Sequence, residues 1–286
     1  MMRMKRRLLL KITFAASLAA AVLCGGGLPA RAGLMLMPTD IIFKDRQRTA
    51  NLTLINTGQD EATYKIGFRY QRQNESGSYD LMKEPMDPKY DLAKMVVFSP
   101  RQVTLLPGGK QGIRLSLRRP ANLPDGEYRA HLLLMRQSPE TSALKSAESK
   151  AEKGGVKVAL GANIGFSLPV IVRQGAYDAT ASVSDPRFST VTAQGRTGPQ
   201  LEIILTHSGK FSTLGHVAVF WTPPGGAERR IGTLNNVNVH TETARRKVSI
   251  PLKESQVSGG TIRILYEGDG PDKGITFDEK TFPVGG

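Results

Sequence analysis

Every even-numbered residue from Val156 to Val172 is apolar: Val156, Val158, Leu160, Ala162, Ile164, Phe166, Leu168, Val170 and Val172. The odd positions between them are small or polar, with Ile171 the exception. A period of two puts one set of side chains on one face of an extended strand. At about 3.3 Å per residue the run spans roughly 56 Å, whereas an ordinary strand has about five or six residues. A sandwich core covers only part of such a strand. The rest of the apolar face needs another destination, and the expected one is a second protein.

The start of the chain reads as a secretory signal. Arg3, Lys5, Arg6, Arg7 and Lys11 form a positive region, an apolar stretch runs from Ile12 to Cys24, and Ala30-Arg31-Ala32 is a small-x-small cleavage site. The mature chain is then expected to begin at Gly33. The stretch is short for a membrane span. Leu23 is bulky where lipid attachment at Cys24 would want a small residue. Residues 1–32 hold the only cysteine, so the expected mature chain has no disulfide and depends on burial. They also hold six of the 39 basic residues and none of the 25 acidic ones, which leaves a net charge of +8. The basic residues are scattered among strands without aromatic platforms, so no nucleic-acid partner is expected.

The remainder reads as strand after strand. Leu34 to Lys44 is extended and broken by Pro38. Arg48–Ile55 alternates before the turn Asn56-Thr57-Gly58, and Ala62–Tyr70 alternates after it. Residues 71–94 are polar and read as a long excursion. Short strands are expected next at Met95–Phe98, Val103–Leu106 and Gly112–Leu117, and Asp125-Gly126 turns into Glu127–Met135. Residues 137–155 hold one Leu among Ser, Ala, Glu and Lys and are expected to form a mobile loop, with a short helix around Ser142–Glu152 as the alternative. Gln174-Gly175 is the expected hinge. Beyond it come Ala176–Val183, Gln200–Thr206, Gly215–Trp221, Arg229–Thr233, Arg246–Leu252 and Thr261–Tyr266, with Trp221 expected in the core. Strands at this spacing predict an all-β fold of two sandwiches in tandem.

No catalytic constellation is visible. His131, His207, His216 and His240 are not at metal-ligand spacing, and no nucleophile elbow or phosphate loop occurs. No enzyme, metal or cofactor is expected.

Several stretches resemble one family. They are Thr49–Gly58, Phe98-Ser99-Pro100 through Leu106-Pro107-Gly108-Gly109 to Gln111 and Arg114, Asp125–Leu132, and Phe166–Arg173. In this order they are similar to the PapD-like periplasmic chaperones of pilus assembly, over nearly all of residues 34–173. The resemblance implies two immunoglobulin-like domains at an angle, residues 33–173 and 174–286, in a protein exported to the periplasm. It implies that a pilus subunit lacking one strand borrows the chaperone's own, then passes to an outer-membrane usher without ATP. Alternate apolar side chains would fill the subunit's groove, each worth about 1.5–3 kcal/mol when fully buried. The implied donors are Val156, Val158, Leu160, Ala162 and Ile164. Matching Arg173 to the family's strand-end arginine makes Leu160, Ala162 and Ile164 the deepest. Matching the apolar triplet without gaps moves them to Val156, Val158 and Leu160. Phe166–Val172 are expected to pack the domain's own core. A free edge of this kind also invites a self-capping dimer.

The sequence departs from the family at the subunit's carboxylate anchor. The expected Arg is Asp40, and the expected Lys falls on Pro169 or Gly165, neither of which supplies such a donor. Arg129 and His131, on one strand face with Glu127, are the candidate replacements; the alternative is that they are solvated or satisfy a local network. The family's interdomain ionic network would map to Glu127, Arg173 and Asp269. Two other readings stand beside the chaperone: a structural component of a pilus or surface fibre, and a carbohydrate-binding β-sandwich. A fibre subunit usually donates from a free N-terminal extension, whereas the donor here is internal.

Overall fold

The computed structural model describes residues 33–44, 46–137, 164–193, 196–254 and 256–285. The fold is all-β, two immunoglobulin-like sandwiches in tandem, with one short α-helix, Leu92–Met95, among the described residues.

In the first sandwich, one sheet holds β1 (Leu34–Met37), β3 (Thr49–Asn56), β8 (Lys110–Leu117) and β6 (Val96–Ser99), in that order. The facing sheet runs β2 (Ile41–Phe43), β10 (Gly165–Gln174), β9 (Gly126–Gln137), β4 (Ala62–Gln73) and β5 (Tyr79–Met82), with β7 (Gln102–Leu105) also paired to β4. Pro38 explains why β1 and β2 belong to different sheets. Its ring fixes φ and removes a ladder donor, so the extended run breaks there and crosses over. The core follows from period-two alternation: Leu52 and Leu54, Tyr64 and Ile66, Ile113 and Leu115, Leu132 and Leu134, then Leu168, Val170 and Val172. Asn56, almost wholly buried, closes the turn after β3. Its Oδ1 accepts from Gly58 N–H (3.0 Å), and its Nδ2 donates to the carbonyls of Asp60 (2.8 Å) and Leu105 (3.0 Å).

The second sandwich packs β11 (Thr180–Ala193), β12 (Arg196–Ser208) and β15 (Arg245–Pro251) against β14 (Arg229–Val239), β13 (Thr213–Thr222), β16 (Thr261–Gly268) and β17 (Thr276–Pro283). Val183, Leu201, Ile203, Val217, Val219, Val248, Ile250, Ile262 and Ile264 fill it. Trp221 is in this core, its indole N–H donating to the carbonyl of Gly259 (3.0 Å).

Residues 71–94 are more than an excursion. β4 runs on to Gln73, and β5 returns beside it, Tyr79 opposite Gln73 and Met82 opposite Tyr70. The tip of this hairpin touches the second sandwich. Lys247 N–H donates to the carbonyl of Glu75 (2.7 Å), and the Arg246 guanidinium occupies the space a side chain at Gly77 would need. Gly77 also has φ +80°, a left-handed backbone that glycine adopts without cost.

Candidate functional site

β10 is paired along its whole length on one side, from Gly165 opposite Met135 to Gln174 opposite Gly126 in β9. On its other side β2 covers only Val170, Ile171 and Val172. Among the described residues no strand pairs with the rest of that edge. Arg136 N–H donates to the carbonyl of Ile164 (3.0 Å), so even-numbered residues carry the ladder to β9. The alternation of an antiparallel pair then turns the N–H and C=O of Gly165 and Ser167 to the open edge, together with the C=O of Pro169. Pro169, which has no N–H to leave unpaired, suits such a position.

The side chains divide just as sharply. Leu168, Val170 and Val172 are at most 1% exposed. Phe166 packs on the rim of the core, edge-on to Tyr64 with ring centroids 6.3 Å apart. Ile164 is 53% exposed. The apolar face therefore leaves its own core between Phe166 and Ile164. Val156, Val158, Leu160 and Ala162 lie outside the described residues, as does the loop expected at 137–155 apart from Gln137.

The odd face of the same sheet is sealed at the other end of β10. Ile171 is fully buried yet stands apart from the first core. Its neighbours on that face are Arg129 and Arg173, both of which the second sandwich contacts. Arg173 places Nε 3.3 Å from Glu127 Oε2 and Nη2 3.2 Å from Asp272 Oδ2, and Nη2 also donates to the carbonyl of Ser212 (2.8 Å). Glu127 in turn accepts from the Ser212 N–H (3.0 Å) and the Ser212 hydroxyl. Burial opposes the charge on Arg173, but the bond to Asp272 and the field of Glu127 outweigh it and hold its pKa above the ordinary arginine value.

Asp269 is not the third member of this network; Asp272 is. A 3-10 turn, Gly270–Asp272, carries the chain back so that Asp272 enters the seam. Asp269 stays outside, its Oδ1 2.9 Å from His216 Nδ1, with its side chain 49% exposed. Asp40, at the position expected to hold an arginine, is partly buried, and burial raises its carboxyl pKa.

Arg129 and His131 are a second correction. Neither is open to a partner's carboxylate. The Arg129 guanidinium contacts Glu242 of the second sandwich, with side-chain exposures of 1% and 8%. His131 is 2% exposed and lies edge-on to Tyr79 at 4.9 Å. Tyr79 Oη is 2.8 Å from His240 Nε2. Gln73 ties the seam in both directions. Its N–H donates to Glu242 Oε1 (2.8 Å), its Nε2 to the Asn238 carbonyl (3.1 Å), and its Oε1 accepts from His240 N–H (3.1 Å). Burial, with Arg129 adding to it, drops the His131 pKa to about 3, and the same causes push His240 well below its ordinary range. Sequence reasoning missed Gln73, Tyr79, Ser212, His240, Glu242 and Asp272. One signal did point here: Ile171 breaks the small-or-polar odd face where the second sandwich lands.

No family model matches the chain, and no curated protein matches it. Among solved structures, it is similar to the chaperone–tip adhesion subunit pre-assembly complex CsuC–CsuE, from the archaic chaperone-usher Csu pili of Acinetobacter baumannii. Identity is 14% and the TM-score 0.42, over 89% of this chain and 99% of that one. It is similar to the E. coli chaperone DraB at 14% identity and a TM-score of 0.40, over 88% of this chain and 98% of that one. The same identity and TM-score hold for the Salmonella enterica SafA pilin in complex with the SafB chaperone, over 88% and 96%.

Proposed function

We propose that this chain is a periplasmic chaperone of pilus assembly, which lends a strand to incomplete β-sandwich subunits and passes them to an outer-membrane usher. The observation that carries the reading is the half-covered β10: its own core ends at Phe166, while Ile164 projects and the edge from Gly165 to Pro169 has no strand beside it among the described residues. Val156, Val158, Leu160 and Ala162 continue the parity of Ile164 in the sequence. A subunit missing one strand offers the complement, a groove with unpaired backbone groups and apolar pockets at alternate spacing. Each side chain it buries contributes about 1.5–3 kcal/mol. Ordering costs offset part of that, which suits a complex that is later released without ATP. The sealed seam supplies a firm backing, because the sheet that carries the donor is clamped to the second sandwich by Arg173, Arg129 and Gln73.

The test is co-expression with pilus-type subunits and co-purification from the periplasm. Wild type retains the subunit. A Val158→Glu, Leu160→Glu, Ile164→Glu variant folds and loses it. Capture by a folded variant would overturn donation by this strand.

A further inference from the structure

The first sandwich carries a second surface, far from Ile164, that is shaped for negative charge. A groove of about 930 Å³ lies where β2 runs out, lined by Arg46, Arg48, Arg118, Arg119 and Gln174, with Leu117 at its floor. The ladder brings these residues together. Thr49 pairs with Ser116, and Leu117 N–H donates to the Arg48 carbonyl (2.8 Å), so the residue entering β3 and the residue leaving β8 sit side by side. Arg119 is held in place by Gln174, its Nη1 donating to Oε1 (3.0 Å). Arg46, Arg48 and Arg118 are exposed, and among the described residues none of these three is in an ion pair. Among the described residues the lining carries four arginines and no acidic residue; Asp45 is their neighbour in the sequence. Asp125 packs its carboxylate against Gly175 beside the groove.

We propose that this groove docks an acidic peptide segment of a partner protein. The charge is complementary, and guanidinium groups grip carboxylates in pairs of parallel hydrogen bonds. A single-stranded nucleic acid would want aromatic faces to stack on, and no aromatic residue lines the groove. A membrane surface would want apolar side chains to insert, and Leu117, the only large apolar lining residue, is buried. Gln174 ends the strand that Ile164 precedes, so at about 3.3 Å per residue the groove lies roughly 30 Å from Ile164, with the three residues that β2 covers between it and the open edge. The two surfaces are separate and both can be filled at once.

The test is fluorescence anisotropy of the full chain with a dye-labelled hexaglutamate peptide. A labelled oligothymidine and vesicles of phosphatidylglycerol with phosphatidylcholine serve as competitors. An Arg46→Glu, Arg48→Glu, Arg118→Glu variant is expected to bind the peptide about tenfold more weakly or worse, as loss of several charge-assisted bonds requires. A control with the same charge change on exposed sites elsewhere, Lys83→Glu, Arg187→Glu, Lys273→Glu, keeps wild-type binding. The Val158→Glu, Leu160→Glu, Ile164→Glu variant also keeps it, whether or not that strand captures subunits. Unchanged binding in the groove variant, or an equal loss in the control, overturns the proposal. So does displacement of the peptide by oligothymidine or vesicles at lower charge equivalents.

Discussion

Arg173 and Asp272 pair across the seam between the two sandwiches, with side-chain exposures of 4% and 1%. Three residues earlier, Asp269 is half exposed and faces His216 instead. Removing one partner of a buried pair strands the other charge, at a cost of about 3–5 kcal/mol. Asp272→Ala is expected to lose stability on that scale, and Asp269→Ala less than about 0.5 kcal/mol, the usual range for surface changes. Urea denaturation of the full chain measures both. Equal effects would mean the seam does not rest on Asp272.

His131 gives the seam a pH dependence of definite sign. Its folded pKa is about 3 against an ordinary value of 6.5. Between those limits the unfolded chain holds a proton that the folded chain lacks, so stability falls as pH falls, by up to about 1.4 kcal/mol per pH unit. Arg129 and Tyr79 face the ring, with His240 beyond Tyr79, and His240 acts in the same direction. His131→Phe should therefore narrow the gap between urea midpoints at pH 7.0 and pH 4.5. A gap as wide as in wild type would remove His131 from the account.

The core boundary along β10 predicts a contrast four residues apart. Leu168→Ala, at 1% exposure, should cost about 2–5 kcal/mol. Ile164→Ala should leave stability within about 0.5 kcal/mol while weakening subunit capture. Thermal melts and co-purification of the same two variants separate the roles.

Gln73→Ala takes away the acceptor of a fully buried donor, the His240 N–H. A buried group left unsatisfied costs about 1–3 kcal/mol. Amide exchange at His240 should accelerate while that of Leu132, in the first core, keeps its wild-type order among the protected sites.

The two cores were legible because alternation survives wherever one sheet face is wet. β3, β4, β8, β15 and β16 all fall where their runs predict and alternate in burial, and β9 and β13 fall where their apolar runs predict. β17 was not read. Its Asp278, Glu279 and Lys280 sit on an edge strand with little apolar signal to repeat. β5 was hidden in a polar segment because its apolar residues, Tyr79, Leu81 and Met82, form no buried face, each staying partly or wholly exposed. The seam was the hardest part. Arg129 and His131 occupy the polar face of a strand, a pattern that reads as solvent until a second sandwich covers it. The choice between Asp269 and Asp272 turned on a 3-10 turn that three residues of sequence do not betray.

Three residues of β2 beside β10 are enough to act as a doorstop. A visiting strand that slides along the vacant margin from the Ile164 end meets Ile41 at the level of Val170 and travels no further. The deepest reach open to such a strand is then set by the host: whatever the length of the newcomer, it can go no further than a mark built into the first sandwich.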